Sequence, residues 1–167
     1  QTERIKEFYS PKIQARTTII KNPVTDKVFR LQHVEKEDRI IAVGRLAYQK
    51  NYPMMFRAFT HVHRDFPQYK LIVYGDGPQK EEIRAEIRTL GMENIIILAG
   101  KSDHIVDEMN KSRLFVMSSD YEGMSNALLE AICVRLPALS TDVSGAKDLI
   151  KEGGNGYVVP VDDEAAF

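Results

Sequence analysis

Short apolar segments alternate with amphipathic segments from Arg39 to the end of this chain, and this alternation limits the fold more than any other feature. The apolar segments predict strands at residues 40–43, 71–74, 95–98, 114–117, 138–141 and 156–159. Most are continuously apolar, as expected where helices cover both faces of a parallel sheet. Helices are predicted between them at residues 53–65, 79–90, 103–110 and 126–134. The pattern predicts an α/β fold with a Rossmann-like, doubly wound and mainly parallel sheet.

The first part of the chain lacks this alternation. Residues 17–20 are predicted as one more strand, Asn22-Pro23 marks a turn, and residues 34–38 form a charged connector. At the other end, residues 162–167 have the character of a first helical turn, with acids near its positive end. Because the chain also starts at Gln1 rather than at a methionine, we expect it to be a piece of a longer protein.

Composition excludes several classes of protein. A length of 167 residues suits one compact domain, and a formal charge of −1 lacks the basic excess expected of a nucleic-acid-binding protein. The apolar runs are too short for a membrane span, and no signal peptide opens the chain. The single Cys133 excludes an intrachain disulfide framework and fits a reducing compartment, so a cytoplasmic location is expected.

The loops that follow the first two strands carry candidate phosphate ligands. Ligands of doubly wound sheets bind where strands end, and Arg45 and Lys50 lie in the first such loop. A guanidinium fork and an ammonium together can balance a diphosphate, although two solvated surface cations remain an alternative. The second loop, Gly75-Asp76-Gly77-Pro78, allows either close approach of the backbone to a ligand or a tight turn into a helix. Neither loop matches a P-loop or a Gly-x-Gly-x-x-Gly motif.

The loop after the fourth strand is the most informative. Glu122 lies within it, Glu130 lies in an early turn of the next helix, and Asn126 is a candidate N-cap. The amides of residues 123–127 would be free at the helix N-terminus and would form an anion site. Carboxylates on either side of those amides can accept bonds from hydroxyl groups flanking a phosphate. The alternative is that both glutamates only cap the helix and complement its dipole.

Other constellations are absent or ambiguous in the sequence. The polar loop at residues 142–148 lines the same cleft or is a simple connection. The histidines show no metal-ligand spacing, and no acidic pair stands where a metal-diphosphate site would need one, so no metal site is predicted. No Gly-x-Ser-x-Gly elbow of a serine hydrolase is present.

Together these motifs resemble the large retaining glycosyltransferase family 4, whose members have the GT-B fold. The matching segments are Gly44-Arg45-Leu46 with Lys50-Asn51, Gly75-Asp76-Gly77-Pro78, Glu122 with Glu130, Leu136-Pro137, Ser140 to Gly145, and Asn155-Gly156-Tyr157. Residues 19–29 are similar to the stretch just before the family's C-terminal domain. The resemblance implies that residues 1–38 are an interdomain segment, the tail of a missing N-terminal acceptor domain. It makes residues 39–167 a nucleotide-sugar-binding domain truncated at its C-terminal end.

The resemblance also implies roles for individual residues. Arg45 and Lys50 would hold the diphosphate, and Glu130 would hold the ribose hydroxyls. Glu122 would be the catalytic residue in the sense that it positions the transferred sugar, and no protein nucleophile is evident. The loop at Gly100-Lys101-Ser102 would face the base through its backbone. The remaining donor-binding candidates, which would contact the sugar and phosphates, are Gly123, Met124, Ser125 and Asn126.

Three residues depart from the family's usual pattern. Arg135 stands where glycine is usual, Met124 where phenylalanine is common, and Asp148 where glutamate is common. Arg135 suggests a local change of the surface, and Met124 bears on which sugar fits the site. The charged part of the motif is intact.

The activity implied is that of a hexosyltransferase-type glycosyltransferase in polysaccharide biosynthesis, which moves a sugar from a nucleotide-diphosphate sugar to a glycan or lipid-linked acceptor. The donor would serve as substrate, with no cofactor or metal, and the missing domain would bind the acceptor. The 167-residue piece would therefore be inactive alone, and the resemblance allows peripheral association of the full-length enzyme with the inner face of a membrane. A nucleotide-sugar 2-epimerase of the same architecture and a non-catalytic nucleotide-binding module remain alternatives.

Overall fold

A six-stranded parallel sheet forms the centre of the protein. The computed structural model describes residues 6–20, 22–24, 26–29, 31 and 34–167. The strands are β1 (Arg39–Val43), β2 (Lys70–Tyr74), β3 (Ile96–Gly100), β4 (Leu114–Met117), β5 (Ala138–Thr141) and β6 (Gly156–Val159). Their order in the sheet is β3-β2-β1-β4-β5-β6, and every neighbouring pair is parallel. The predicted fold class is confirmed.

Helices connect the strands, and their bounds differ from the predicted bounds by one or two residues. The α-helices are α1 (Pro11–Gln14), α2 (Tyr52–Asp65), α3 (Lys80–Thr89), α4 (Ile105–Lys111), α5 (Asn126–Cys133) and α6 (Ala146–Leu149). Two 3-10 turns, Asp26–Phe29 and Tyr48–Lys50, precede β1 and α2. The short helices α1 and α6 and both 3-10 turns are not predicted by apolar periodicity, because three or four residues are too few to show it.

The two faces of the sheet bury separate clusters of apolar side chains. Ile41 and Phe115 face a cluster to which α4, α5 and α6 contribute Met109, Leu128 and Ala146. Alternate residues of the same strands face a second cluster, to which α2 and α3 contribute the apolar residues Met55, Phe56, Phe59, Ile83 and Ile87. Burial on both faces explains why the strand sequences are continuously apolar.

The predicted strand at residues 17–20 is wrong. These residues belong to no strand of the sheet, and Thr17 bonds back to the end of α1 through its amide and its hydroxyl. Ile20 is 78% exposed, so the apolar side chains of this segment do not form a sheet face. Lys21 and Thr25, within the segment that resembles the family's domain junction, lie outside the described residues.

The strand order reverses between β1 and β4, which are neighbours in the sheet but not in the chain. At such a switch point the two exit loops turn away from each other and leave a crevice at the carboxyl edge of the sheet. The loops that contain Arg45 and Glu122 are therefore the two that flank the crevice. Among the described residues, no helix has both the length and the apolar character needed to cross a membrane.

Candidate ligand-binding site

Backbone hydrogen bonds connect the exit loops of β1, β2 and β3 into one surface. The Gly44 amide donates to the carbonyl of Tyr74 at 3.0 Å, and the Leu46 amide donates to the carbonyl of Asp76 at 3.0 Å. The Gly75 amide donates to the carbonyl of Gly100 at 2.8 Å. The loop that carries Arg45 is thus supported by its neighbour in the sheet.

The glycines of the second exit loop allow its backbone to approach the loop that carries Arg45. A Cβ on Gly75, whose φ is +147°, would lie 1.9 Å from the carbonyl oxygen of Gly44. A Cβ on Gly77 would lie 2.3 Å from the carbonyl oxygen of Leu46. Both glycines therefore contact protein backbone rather than leaving open space for a ligand, which favours the tight-turn alternative. The helix begins at Lys80, so Pro78 lies in the turn that leads to the helix rather than in its first turn.

The exit loop of β4 is joined to that of β1 across the switch point. The Asp120 amide donates to the carbonyl of Gln49 at 2.9 Å, and the Gln49 side chain donates to the carbonyl of Tyr121 at 2.7 Å. The hydroxyl of Ser118 donates to the carbonyl of Lys50 at 2.7 Å. These bonds hold the two candidate ligand loops at a fixed separation.

Lys50 and Glu122 form an ion pair in this structure. The Lys50 Nζ lies 2.5 Å from Oε1 of Glu122, and their side chains are only 14% and 11% exposed. The Ser119 hydroxyl donates to the same Oε1 at 2.9 Å. Arg45 differs, because its side chain is exposed and makes no hydrogen bond or ion pair with any described residue.

A buried tyrosine packs beside this pair. Tyr52, which is 2% exposed, donates its hydroxyl to the carbonyl of Gly44 at 3.1 Å. Burial raises the pKa of its phenol, and the negative charge of Glu122 raises that pKa further. A Cβ on Gly44 would lie 2.9 Å from Cε of Lys50 and 3.1 Å from the Tyr52 hydroxyl, so glycine at this position makes room for both side chains.

The start of α5 presents five unpaired amides. None of the N–H groups of residues 123–127 bonds an acceptor among the described residues. The predicted N-cap, Asn126, is wrong: Ser125 caps the helix by accepting the Leu128 amide at 3.3 Å. Asn126 is the first helical residue, and its side-chain oxygen instead accepts a bond from Asn22. Because the Ser125 hydroxyl accepts only the Leu128 amide and its carbonyl accepts the Leu129 amide, the five amides before Leu128 are left for an anion.

Glu130 is half-buried on α5, one turn after Asn126. Its carboxylate makes no hydrogen bond or ion pair with a described residue, and burial raises its pKa. A half-buried carboxylate without a partner lowers stability, so this position is poorly explained by helix capping alone. Residues four apart share a helix face, so Glu130 lies on the same side of α5 as Asn126.

The loop after β3 borders an open cavity of about 700 Å³. Gly100 has a φ of +76°, and the space where its Cβ would lie is open. The hydrogen bond from the Gly77 amide and the charge of Lys80 lower the pKa of Asp76. Lys101, which is exposed, lowers it slightly further. Ser102 and Tyr74 line the cavity, whose other walls come from α4 and residues 31, 34 and 104.

Charged groups order one wall of this cavity. The Tyr74 hydroxyl donates to Oε2 of Glu108 at 2.9 Å, and burial with this bond raises the pKa of Tyr74 to about 12. Arg39 pairs with the same oxygen at 2.9 Å, and Lys111 pairs with the other at 3.2 Å. Burial opposes ionisation of Glu108, but bonds from these three residues keep its pKa below the usual range.

The loop after β5 is anchored to the core. Val143 and Ala146 are 4% and 0% exposed, and Lys147 pairs with Asp142 at 2.6 Å. Gly145 adopts a φ of +84° directly before α6. Within the described part of the chain, no group of three or more His, Cys, Asp or Glu side chains is arranged to hold a metal ion.

The structure thus brings Lys50, Glu122 and the amides at the start of α5 together, while Gly100 and Lys101 lie at the separate exit of β3. Sequence reasoning did not assign a role to Ser119. The available signal was their proximity in the sequence, since Ser119 precedes Glu122 by three residues in the same loop.

Comparison with known proteins covers most of the chain. Residues 24–167 match the family described as "Glycosyl transferases group 1". A GalNAc-alpha-(1->4)-GalNAc-alpha-(1->3)-diNAcBac-PP-undecaprenol alpha-1,4-N-acetyl-D-galactosaminyltransferase of Campylobacter jejuni is 28% identical over 96% of this chain and 45% of its own length. The amylovoran biosynthesis glycosyltransferase AmsD of Erwinia amylovora is 34% identical over 79% of this chain and 37% of its own length. The chain therefore spans less than half of these curated relatives.

A solved structure supports the same similarity. The pneumococcal O-GlcNAc transferase GtfA, in complex with UDP and GlcNAc, is 27% identical and matches with a TM-score of 0.73. The match covers 78% of this chain and 26% of that chain.

Proposed function

Because the chain belongs to the glycosyl transferases group 1 family, we propose that it is the donor-binding domain of a retaining glycosyltransferase that uses a nucleotide-diphosphate sugar. The observation that carries this proposal is the meeting of Lys50, Glu122 and five unpaired amides at the switch point of the sheet. A cation, a carboxylate and a set of N–H donors suit a ligand that carries both phosphates and hydroxyls.

The diphosphate would lie between Arg45, Lys50 and the start of α5. Arg45 has no partner among the described residues to give up, and the N-terminus of α5 adds the positive end of its dipole. Two cations and free amides supply the charge balance that a divalent ion provides in other diphosphate sites. We therefore propose that donor binding needs no metal.

The two glutamates would bind hydroxyl groups on opposite sides of the diphosphate. Glu130, which bonds no side chain in the described part of the chain, would accept bonds from the ribose hydroxyls. Glu122, in the loop before the helix, would accept a bond from a hydroxyl of the transferred sugar. Gly123, Met124, Ser125 and Asn126 lie between the two carboxylates in the chain and would contact the sugar and the phosphates.

The base would lie at the exit of β3. Ser102, which follows Gly100 and Lys101 in the chain, borders the open cavity beside Tyr74, and the left-handed backbone at Gly100 leaves space next to the loop. This arrangement extends the proposed nucleotide along the carboxyl edge of the sheet, in the direction from β4 through β1 to β3.

The reaction breaks the bond between the anomeric carbon and the diphosphate oxygen, and the bonding electron pair passes to the diphosphate. The acceptor oxygen attacks from the same face, with its proton passing to the departing phosphate oxygen, so the configuration is retained. Arg45, Lys50 and the amides of α5 would stabilise the negative charge that develops on the leaving group. Glu122 would position the sugar and would not form a covalent bond to it.

The acceptor would be bound by a part of the enzyme outside these 167 residues, so the chain alone is proposed to bind donor without transferring sugar. Acceptors of the named relatives include an undecaprenol-linked glycan, which supports a glycan or lipid-linked acceptor here. The family match supports a transferase over the 2-epimerase and the non-catalytic module that the sequence leaves open.

Calorimetric titration of the chain with UDP, GDP and ADP, with and without EDTA, tests the proposal. One nucleoside diphosphate should bind with equal affinity under both conditions, and Arg45→Ala should weaken it. Binding of none of the three would refute the proposed function, whereas binding that disappears with EDTA would refute only its independence from metal.

A further inference from the structure

Glu122 is held by two donors that both bond the same carboxylate oxygen. Lys50 Nζ lies 2.5 Å from Oε1 and the Ser119 hydroxyl lies 2.9 Å from it. No donor among the described residues bonds Oε2. One oxygen is therefore committed to the protein, and the other is left to accept a bond from a ligand.

The two donors differ in what a diphosphate would do to them. Lys50 carries the positive charge that a diphosphate attracts. A bound nucleotide-sugar therefore competes with Glu122 for the ammonium group of Lys50. Ser119 is 0% exposed, so its hydroxyl is inaccessible to a ligand and its bond to Glu122 does not compete with one.

The backbone of Ser119 is fixed from both sides. Its carbonyl accepts a bond from the hydroxyl of Thr141, on the neighbouring strand β5, at 2.6 Å. The amide of the next residue, Asp120, donates to the carbonyl of Gln49 at 2.9 Å. The hydroxyl of Ser119 is therefore presented to Glu122 from a rigid position, independently of Lys50.

We propose that Ser119 is the positioning residue for Glu122: in the donor complex its hydroxyl holds Oε1 after Lys50 has turned to the diphosphate, so that Oε2 faces the sugar. This inference rests on the proposed function and adds to it a residue that determines how strongly the sugar, rather than the nucleotide, is bound. Ser119 touches neither.

Ser118 provides a matched control in the same loop. It is also a serine, is also 0% exposed, and also donates a hydrogen bond from its hydroxyl. Its acceptors are the carbonyls of Lys50 and Asn51, at 2.7 and 3.1 Å, rather than the carboxylate of Glu122. Ser118→Ala and Ser119→Ala each remove one buried hydroxyl, but only the second removes a bond to Glu122.

The experiment compares two affinities in each variant of the 167-residue chain. Among UDP, GDP and ADP, the tightest binder is chosen, and its affinity is compared with that of its glucose, galactose, N-acetylglucosamine and N-acetylgalactosamine derivatives. Ser119→Ala should lower the affinity for the preferred nucleotide-sugar about tenfold, a loss of one hydrogen bond to a charged group. Its affinity for the nucleoside diphosphate should stay within about twofold of wild type, and Ser118→Ala should leave the ratio of the two affinities unchanged.

Two results would overturn the inference. One is an unchanged ratio in Ser119→Ala, and the other is an equal change of the ratio in Ser118→Ala. If Ser119→Ala does not fold, Ser119→Cys replaces it, since a thiol keeps a weak donor in similar space and predicts an intermediate ratio. A ratio of wild-type size in Ser119→Cys would then count against the inference. Absence of nucleoside diphosphate binding in wild type would instead refute the proposed function.

Discussion

Lys50 and Glu122 stand 72 residues apart in the sequence, yet their side chains meet at 2.5 Å across the switch point of the sheet. Both side chains are largely buried. The two residues proposed to bind different parts of one ligand thus neutralise each other when no ligand is bound, and this contact links donor binding to stability.

Removing Lys50 should therefore cost stability, while removing Arg45 should not. Lys50→Met leaves the buried carboxylate of Glu122 with Ser119 alone, which should lower the free energy of unfolding by about 1–3 kcal/mol. Arg45→Ala removes an exposed side chain without a described partner and should change it by less than about 0.5 kcal/mol. Urea denaturation followed by circular dichroism measures both. The double variant Lys50→Met/Glu122→Gln should recover part of the loss, and equal effects of the two single variants would contradict the ion pair.

The two glutamates should affect stability in opposite directions. Burial raises the pKa of Glu130 in the folded protein, so folding favours its protonated form and opposes its charge. The resulting penalty is absent below the unfolded pKa of about 4.3 and grows as the pH rises through the folded pKa. Glu130→Gln should therefore raise the melting temperature at pH 7 and lose this gain near pH 4, where the wild-type carboxyl is protonated.

Glu122→Gln is the control for that experiment, because it weakens the bond to Lys50 and should lower the melting temperature at pH 7. Equal lowering by both glutamate variants would favour the capping alternative over ligand binding. A residue that destabilises the unliganded protein is expected where function requires an unpaired group.

The glycine turn after β2 should be needed for the shape of the Arg45 loop. A methyl group at Gly77 would meet the carbonyl oxygen of Leu46 at 2.3 Å. Gly77→Ala should lower the free energy of unfolding by about 1–3 kcal/mol, as overpacking does, and should weaken nucleoside diphosphate binding through the displaced loop. Gly154→Ala is the control, since its Cβ would meet no atom closer than 3.3 Å. Wild-type stability in Gly77→Ala would show that the loop adjusts.

Arg135 should be a site where glycine stabilises the protein. It has a φ of +58° at the end of α5, a left-handed conformation that costs a non-glycine residue roughly 1–2 kcal/mol. Arg135→Gly should raise the melting temperature by a few degrees, about 2–4 °C for each kcal/mol in a chain of this size. Arg135→Ala keeps the strained backbone and should give no such gain in a thermal melt, so a gain common to both variants would point to the arginine side chain instead.

The fold followed from the sequence because the strand segments are buried on both faces and are therefore apolar throughout. The segment at residues 17–20 has the same β-branched character but lies outside the sheet, where its polar groups bond to α1 instead. Local composition does not distinguish a sheet strand from the segment at residues 17–20, since strand pairing depends on whether the tertiary fold places a segment beside a sheet edge.

The site was predictable in its residue types but not in its contacts. The acids, cations and helix start were each visible in the loops, and the free amides before α5 follow from helix geometry. The pairing of Lys50 with Glu122, and the role of Ser119 between them, depends on the parallel neighbours β1 and β4, which the chain order alone does not reveal. The cap at Ser125 rather than Asn126 is a shift of one residue, within the usual uncertainty of helix ends.

Calorimetry with three ligands tests whether the diphosphate, the ribose and the sugar are bound by separate side chains. A nucleoside, its diphosphate and its nucleotide-sugar are titrated into Arg45→Ala, Lys50→Ala, Glu122→Ala and Glu130→Ala. Arg45→Ala and Lys50→Ala should weaken the diphosphate about tenfold to a hundredfold and spare the nucleoside, since each removes a charged bond to phosphate. Glu130→Ala should weaken all three ligands, and Glu122→Ala should weaken only the nucleotide-sugar. If Glu122→Ala and Glu130→Ala lose all three ligands equally, the assignment of sugar and ribose to separate carboxylates is contradicted.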